Sequence, residues 1–323
     1  MRSTIIGKSK AGFKEIAIGG LFLTGTTPNR TNYNTYNYNS YSAIASRVIG
    51  SESSVVYCIS DDANYIYVGG NFTGTNQNRM MIIRKSDSSV VTFAGFNNIV
   101  YSIANDANYI YVGGDFTGTN SSKFAILRKS DFGLVTFSSG FFSTVRAISH
   151  DDNNIYVGGN FGTSRFAIIR KSNLSFVTST IAFSNMVYAL DNDANYVYAG
   201  GSFMGTNKSR FAIIRKSDWT LVTYAGFGSE VYCISNDSTY IYCGGTFSGP
   251  SGFAMIRKSD LGIVNYAGFN QTVQSICNDN EYIYVGGAFT VPARFAKIAK
   301  SNLAIQTGTP EFPGGIYAMK LIT

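Results

Sequence analysis

The sequence predicts an all-β protein built from repeated antiparallel units, and three observations carry that reading. Strand-like apolar runs end in Gly-Gly-x-Phe seven times: at Gly19-Gly20-Leu21-Phe22, Gly69-Gly70-Asn71-Phe72, Gly113-Gly114-Asp115-Phe116, Gly158-Gly159-Asn160-Phe161, Gly200-Gly201-Ser202-Phe203, Gly244-Gly245-Thr246-Phe247 and Gly286-Gly287-Ala288-Phe289. The first interval is 50 residues and the others run from 42 to 45, the period of one supersecondary unit repeated around a ring or along an array. Tyr, Phe, Ile, Val, Thr and Asn are abundant, whereas Ala, Leu, Glu and Lys never gather into an apolar stripe of helical period, so no helix is expected.

Each unit divides into four elements. In the third, Val100-Tyr101-Ser102-Ile103 is a strand, Asn105-Asp106-Ala107-Asn108 a tight polar turn, and Tyr109-Ile110-Tyr111-Val112 a second strand running into the glycines. A Thr117 to Ser122 loop leads to the strand Phe124 to Lys129, and a Ser130-Asp131 turn leads to Leu134-Val135-Thr136-Phe137. A four-stranded meander of this length is the blade of a β-propeller. With the strands named A to D in chain order, the last A strand, beginning at Ile316, has no B strand after it, and the first B strand, Glu15 to Ile18, has no convincing A strand before it. The expected solution is a seven-bladed propeller of four-stranded antiparallel blades, residues 1–323 forming one domain. The C-terminal strand pairs into the N-terminal blade and removes the exposed edges. Thr4-Ile5-Ile6 is a candidate outer strand for blade one, and a six- or eight-bladed count is the alternative.

Apolar residues running into Gly-Gly, as in Tyr111-Val112-Gly113-Gly114, resemble the second strand of kelch repeats. The wider Ile-Tyr-Val-Gly-Gly-x-Phe-Thr-Gly phrase is similar to the short propeller repeats of many bacterial and phage proteins. The kelch Tyr and Trp that follow the glycines are missing, and Trp219 is the only tryptophan. The resemblance implies a propeller used for binding and transfers no catalytic residue.

Composition narrows the function. The chain is 45% hydrophobic and 14% charged, which suits a packed protein rather than a disordered one. No apolar stretch approaches membrane-spanning length, and the N-terminus lacks a secretory leader. The expectation is a soluble product without membrane insertion, virion-associated or otherwise cytoplasmic. Cys58, Cys233, Cys243 and Cys277 fall in strands without metal-ligand spacing and read as buried thiols. The Asx-rich A-to-B turns lack the glycine and distal glutamate of a calcium loop, and turn chemistry explains them. With one histidine, His150, read as a solvated turn residue, and no nucleophile–base pattern, neither an enzyme nor a metal or cofactor is expected.

Two groups of residues are candidates for binding. A cation recurs at the end of strand C, at Arg47, Lys85, Lys129, Lys171, Lys216, Lys258 and Lys300, with Arg84, Arg128, Arg170, Arg215 and Arg257 just before it in five blades. Together they are 12 of the 26 Lys and Arg residues, a ring able to attract a polyanion. The bland reading sets Arg as an interblade post and Lys as a solvated cation beside Asp87, Asp131, Asp218 or Asp260. The second group is the one break in repetition, an expanded B-to-C loop from Thr26 to Tyr41. Its Tyr33, Asn34, Tyr36, Tyr38 and Tyr41 offer flat area and adaptable hydrogen bonds for a partner. The reading is a non-enzymatic component of a larger assembly such as a bacteriophage virion, in a tail, capsid-decoration or host-attachment role. Its expected partners are other protein subunits and surface glycan, not nucleic acid. A multivalent carbohydrate-binding lectin is the alternative.

Overall fold

A computed structural model describes the strand backbones of 15–20, 33–37 and 43–47, and residues 54–322 except 75–77, 119–121, 138–139, 248–251, 265, 267, 291, 293, 308, 310–311 and 313. It opens with β1 (Glu15–Gly20), β2 (Tyr33–Asn37) and β3 (Ala43–Arg47). Triplets follow: β4 (Val55–Asp61), β5 (Tyr65–Asn71), β6 (Met80–Arg84); β7 (Val100–Asn105), β8 (Tyr109–Gly114), β9 (Phe124–Arg128); β10 (Val145–His150), β11 (Asn154–Gly159), β12 (Phe166–Arg170). The next two sets carry a short fourth strand: β13 (Val187–Asn192), β14 (Tyr196–Gly201), β15 (Phe211–Arg215), β16 (Thr220–Leu221); β17 (Val231–Asn236), β18 (Tyr240–Gly245), β19 (Phe253–Arg257), β20 (Ile263–Val264). The chain ends with β21 (Val273–Asn278), β22 (Tyr282–Gly287), β23 (Phe295–Ala299) and β24 (Ile316–Ile322). Among the described residues these form seven antiparallel sheets, six in chain order and one ordered β24-β1-β2-β3.

The first strand of each chain-ordered sheet packs against its counterpart in the next, from β4 through β7, β10, β13 and β17 to β21. The C-terminal β24 packs on both β21 and β4. Core clusters lie between sheets rather than within them: Tyr67, Met80 and Ile82 of one sheet pack with Val100, Ile103, Ile110, Val112 and Phe116 of the next. Each fully buried aromatic ring of this kind contributes about 1.5–3 kcal/mol, so adjacent sheets stabilise each other.

The two glycines of each pair do different work. A Cβ on Gly113 would lie 2.5 Å from Val145 Cγ1 of the neighbouring sheet, so the first glycine permits close inter-sheet contact. A Cβ on Gly114 would lie 2.2 Å from the Ile99 carbonyl oxygen, so the second admits the backbone of its own sheet's inner strand. There the ladder slips by one residue, between Val100 and Ser102, and the slip recurs in every sheet. In five sheets the following Phe packs on the aromatic before the inner strand, as Phe116 does on Phe96 with ring centroids 4.2 Å apart.

Two expectations change, and a third falls outside the described residues. The fourth strand is a two-residue ladder in two of the chain-ordered sheets and one isolated bridge in the other four, for example Leu127 with Leu134. A left-handed residue in the preceding turn, Phe132 or Leu174 for instance, folds the chain tightly back. Beyond one or two ladder bonds the segment leaves the sheet edge, and Phe137 packs inward between sheets. In the first sheet Tyr33–Asn37 is the third strand, and Ala43–Arg47 lies outside it. Arg47 therefore ends the fourth strand rather than the third, because the Tyr/Thr-rich alternation of the supposed loop suits a strand better. Thr4-Ile5-Ile6 lies outside the described residues.

Candidate functional site

The repeated charges meet on the rim that carries the turns between the first and second strands of each sheet. Asp106 Oδ1 accepts the backbone N–H groups of Asn108 and Tyr109, at 3.0 and 2.9 Å, which fixes the turn. Its Oδ2 accepts the Tyr111 hydroxyl at 2.5 Å and the ammonium of Lys171, from the next sheet, at 2.7 Å. Asp62 with Lys129, Asp151 with Lys216, Asp193 with Lys258 and Asp237 with Lys300 repeat this inter-sheet pair at 2.5–2.7 Å. The lysine side chains are only 12–17% exposed. Each ammonium also sits 5.2–5.8 Å from the ring centroid of the tyrosine that serves the same aspartate.

A second link ties adjacent sheets. Asn192 Nδ2 donates to Ser149 Oγ of the preceding sheet at 2.6 Å, and its Oδ1 accepts from Lys216 at 2.7 Å. Asn105, Asn236 and Asn278 hold the same place and accept from Lys129, Lys258 and Lys300. His150 replaces the asparagine in β10: Nε2 lies 3.0 Å from the Asn105 carbonyl and Nδ1 3.2 Å from Lys171 Nζ, matching the Asn192 contacts to the His150 carbonyl and Lys216. It is a half-buried member of the inter-sheet network, not a solvated turn residue. Aligning the six strand ends Asp61, Asn105, His150, Asn192, Asn236 and Asn278 is the signal that identifies it.

Lys85 marks the join of the chain ends. In the sheet before it the inner strand is the last of the chain and the next strand is the first, so no Asx turn connects them. Lys85 pairs instead with Asp61 of its own sheet, at 2.7 Å, where other sheets carry Asn or His.

Burial opposes ionisation of Asp62, Asp151 and Asp237, but lysine, tyrosine hydroxyl and backbone N–H groups outweigh it and hold each carboxyl down at about 2. Part-buried Asp191, in β13, is the exception. Loss of solvation pushes it up to about 6, against the pull of Asn236, the Asn192 N–H and Lys258. Four of the five arginines that precede the lysines turn outward and pair with aspartates three residues on: Arg84 with Asp87, Arg128 with Asp131, Arg215 with Asp218 and Arg257 with Asp260; Arg170, followed by Asn173, donates to the Ser175 hydroxyl. The two cation roles are thus reversed from the bland reading: lysine is the inter-sheet post, arginine the exposed partner of the turn. The structure describes the backbone of Arg47 and of Tyr33, Asn34 and Tyr36, while Tyr38 and Tyr41 lie outside the described residues.

Above the buried pairs lie cavities between sheets. One of about 630 Å³ is lined by Asp106, Tyr109, Tyr111, Lys171 and Leu174. Another of about 630 Å³ is lined by the equivalent Asp193, Tyr196, Tyr198, Lys258 and Leu261. Each joins an aromatic face to a carboxylate already engaged by lysine.

No protein-family profile matches the sequence, and no curated protein matches it. Solved structures do resemble the fold. A computationally designed protein, Ika8, superposes with a TM-score of 0.66 at 12% identity, covering 93% of this chain and 90% of its own. The WD40 repeats of RRP9 superpose with a TM-score of 0.64 at 13% identity, covering 84% and 85%. The fold is that of a β-propeller repeat protein, and at such identities the likeness speaks of architecture alone.

Proposed function

We propose that the chain is a closed, seven-bladed, kelch-like propeller acting as a non-enzymatic binding and structural component of a larger assembly, such as a virion tail, capsid-decoration or host-attachment protein. The observation that carries a protein-contact role is the apolar surface left on the rim opposite the ion pairs. Phe142 is 90% exposed in the loop entering β10, and Met204 is 59% exposed in the loop after β14. In two other sheets the place of Phe142 is taken by Asn97 and Asn270, whose side chains hydrogen-bond the loop after the second strand. A bare phenylalanine there has no such internal task and suits an anchor for a partner subunit. The repeated titratable groups, in contrast, are occupied in holding sheets together. Mutating Phe142→Ser and Met204→Ser together should leave the melting temperature within about 2 °C and reduce incorporation into the parent particle at least tenfold. Unchanged incorporation would remove this surface from the argument. Tyr38→Ser with Tyr41→Ser tests the tyrosine segment in the same assay, and is preferable to deleting the segment, which contains β2.

The lectin reading is favoured by one observation, the matching cavities at Tyr109 and Tyr196. A glycan array with several hits, lost on Tyr109→Ala and Tyr196→Ala, would put it ahead.

A further inference from the structure

The residue skipped at each inner-strand bulge forms a set that the repeat grammar does not explain. It comprises Tyr57, Tyr101, Arg146, Tyr188, Tyr232, Gln274 and, from the C-terminal strand, Tyr317. All are half-buried, and four pairs of neighbours in sheet order lie ring to ring or cation to ring. Tyr57 lies 5.3 Å from Tyr101 and 6.0 Å from Tyr317, and Tyr188 lies 5.3 Å from Tyr232, centroid to centroid. The Arg146 guanidinium stacks 3.8 Å from the centre of the Tyr101 ring. Because these residues sit at the start of strands that pack successively on one another, they form a collar where the inner strands begin. That is the end bearing Phe142, away from the lysine ring.

Five members of the collar are tyrosines, and the two exceptions each carry a buried, unpartnered polar atom: Arg146 Nε, a donor, and Gln274 Oε1, an acceptor. Leaving such atoms unpaired costs about 1–3 kcal/mol each, which a ligand with matching groups would recover. Burial raises the pKa of the Tyr57 hydroxyl, as do Tyr101 and Tyr317, while Arg146 lowers it, so the guanidinium charge is felt across the ring. Among the described residues no carboxylate pairs with Arg146, although every repeated lysine has one.

We propose that this collar receives an acidic protein segment, whose carboxylate pairs with Arg146 and whose backbone N–H reaches Gln274. A carboxylate supplies the acceptor that Arg146 lacks, a peptide N–H supplies the donor that Gln274 lacks, and tyrosines flank an inserted chain with apolar faces and hydroxyls. The inference rests on the reading of the molecule as a binding scaffold and gives that scaffold a partner chemistry.

The test is fluorescence anisotropy with a fluorescein-labelled peptide of alternating glutamate and glycine, beside its glutamine counterpart. The intact protein should bind the acidic peptide and not the neutral one. Arg146→Gln installs the side chain that β21 already carries at this place, and should weaken binding at least tenfold with an unchanged melting temperature. Gln274→Tyr, the residue of five other strands, should weaken it several-fold. Equal binding of the two peptides, no binding of either, or full binding by Arg146→Gln would overturn the proposal. So would displacement of the peptide by free glucuronate at equal concentration, which would assign the collar to acidic sugars. Particle incorporation of Phe142→Ser reports separately on the assembly role, so the two ideas can fail independently.

Discussion

At the scale of single residues, the inter-sheet ion pairs set how stability should depend on pH. The carboxyls of Asp62, Asp151 and Asp237 are held at about 2, below the unfolded value near 4. Their contribution is present above about pH 4 and is lost as pH falls from there towards 2. Asp191 acts with the opposite sign. With its pKa pushed up to about 6, the folded state prefers the protonated form, so stability falls as pH rises from about 4 to about 6. Serine occupies the same place at Ser60, Ser149 and Ser235 and accepts the same asparagine hydrogen bond at all three. Asp191→Ser should therefore raise stability at pH 7 by about 1 kcal/mol, a value discounted for partial exposure, and flatten the profile between pH 4 and 6. Urea unfolding at several pH values checks both. Lys216 uses its ammonium on Asp151, Asn192 and the Asp193 carbonyl, so Lys216→Met should cost about 2–3 kcal/mol. Arg215→Met, removing an exposed pair, should stay within about 0.5 kcal/mol.

At the scale of the element, the glycine pair predicts a contrast between two substitutions that look alike in sequence. Gly113→Ala presses on a side chain, Val145, and should cost about 1–3 kcal/mol, part of which Val145→Ala restores. Gly114→Ala presses on the carbonyl of Ile99, which no side-chain change can retract, so its cost should exceed that of Gly113→Ala and persist in the double mutant. Chemical denaturation of the four proteins measures the difference. The inner three strands of the chain-ordered sheets were legible in the sequence because each is a local apolar run bounded by turn residues. The fourth was not, because Leu134 and Phe176 are apolar like strand residues yet lie half-exposed at a sheet edge with one bridge each. β2 was missed for the converse reason. Its Tyr-Asn alternation has low complexity, and only pairing with β1 distinguishes a strand from a loop.

At the scale of the whole molecule, the sheet ordered β24-β1-β2-β3 joins the two chain ends, and Lys85 with Asp61 stands where the repeated inter-sheet pair cannot form. Truncation after Gly315 removes the inner strand of that sheet and, with Ile316 and Met319, part of the last inter-sheet core. The shortened chain should lose cooperative urea unfolding and associate in size-exclusion chromatography, because the removal uncovers the β1 edge. A monomer with an unchanged midpoint would show that the C-terminal strand is dispensable to the assembly of sheets.

The sequence by itself determined the repeat, the inner strands and the location of the terminal strand, because each is written within one unit or in the count of units. The tertiary structure alone decided what the cations do, where His150 belongs and which residues gather in the tyrosine collar. Lys171 and Asp106 are 65 residues apart, and the collar takes one residue from each sheet. A residue's place in the unit is a local property, but its partner comes from packing one unit on the next, which periodicity along the chain does not specify.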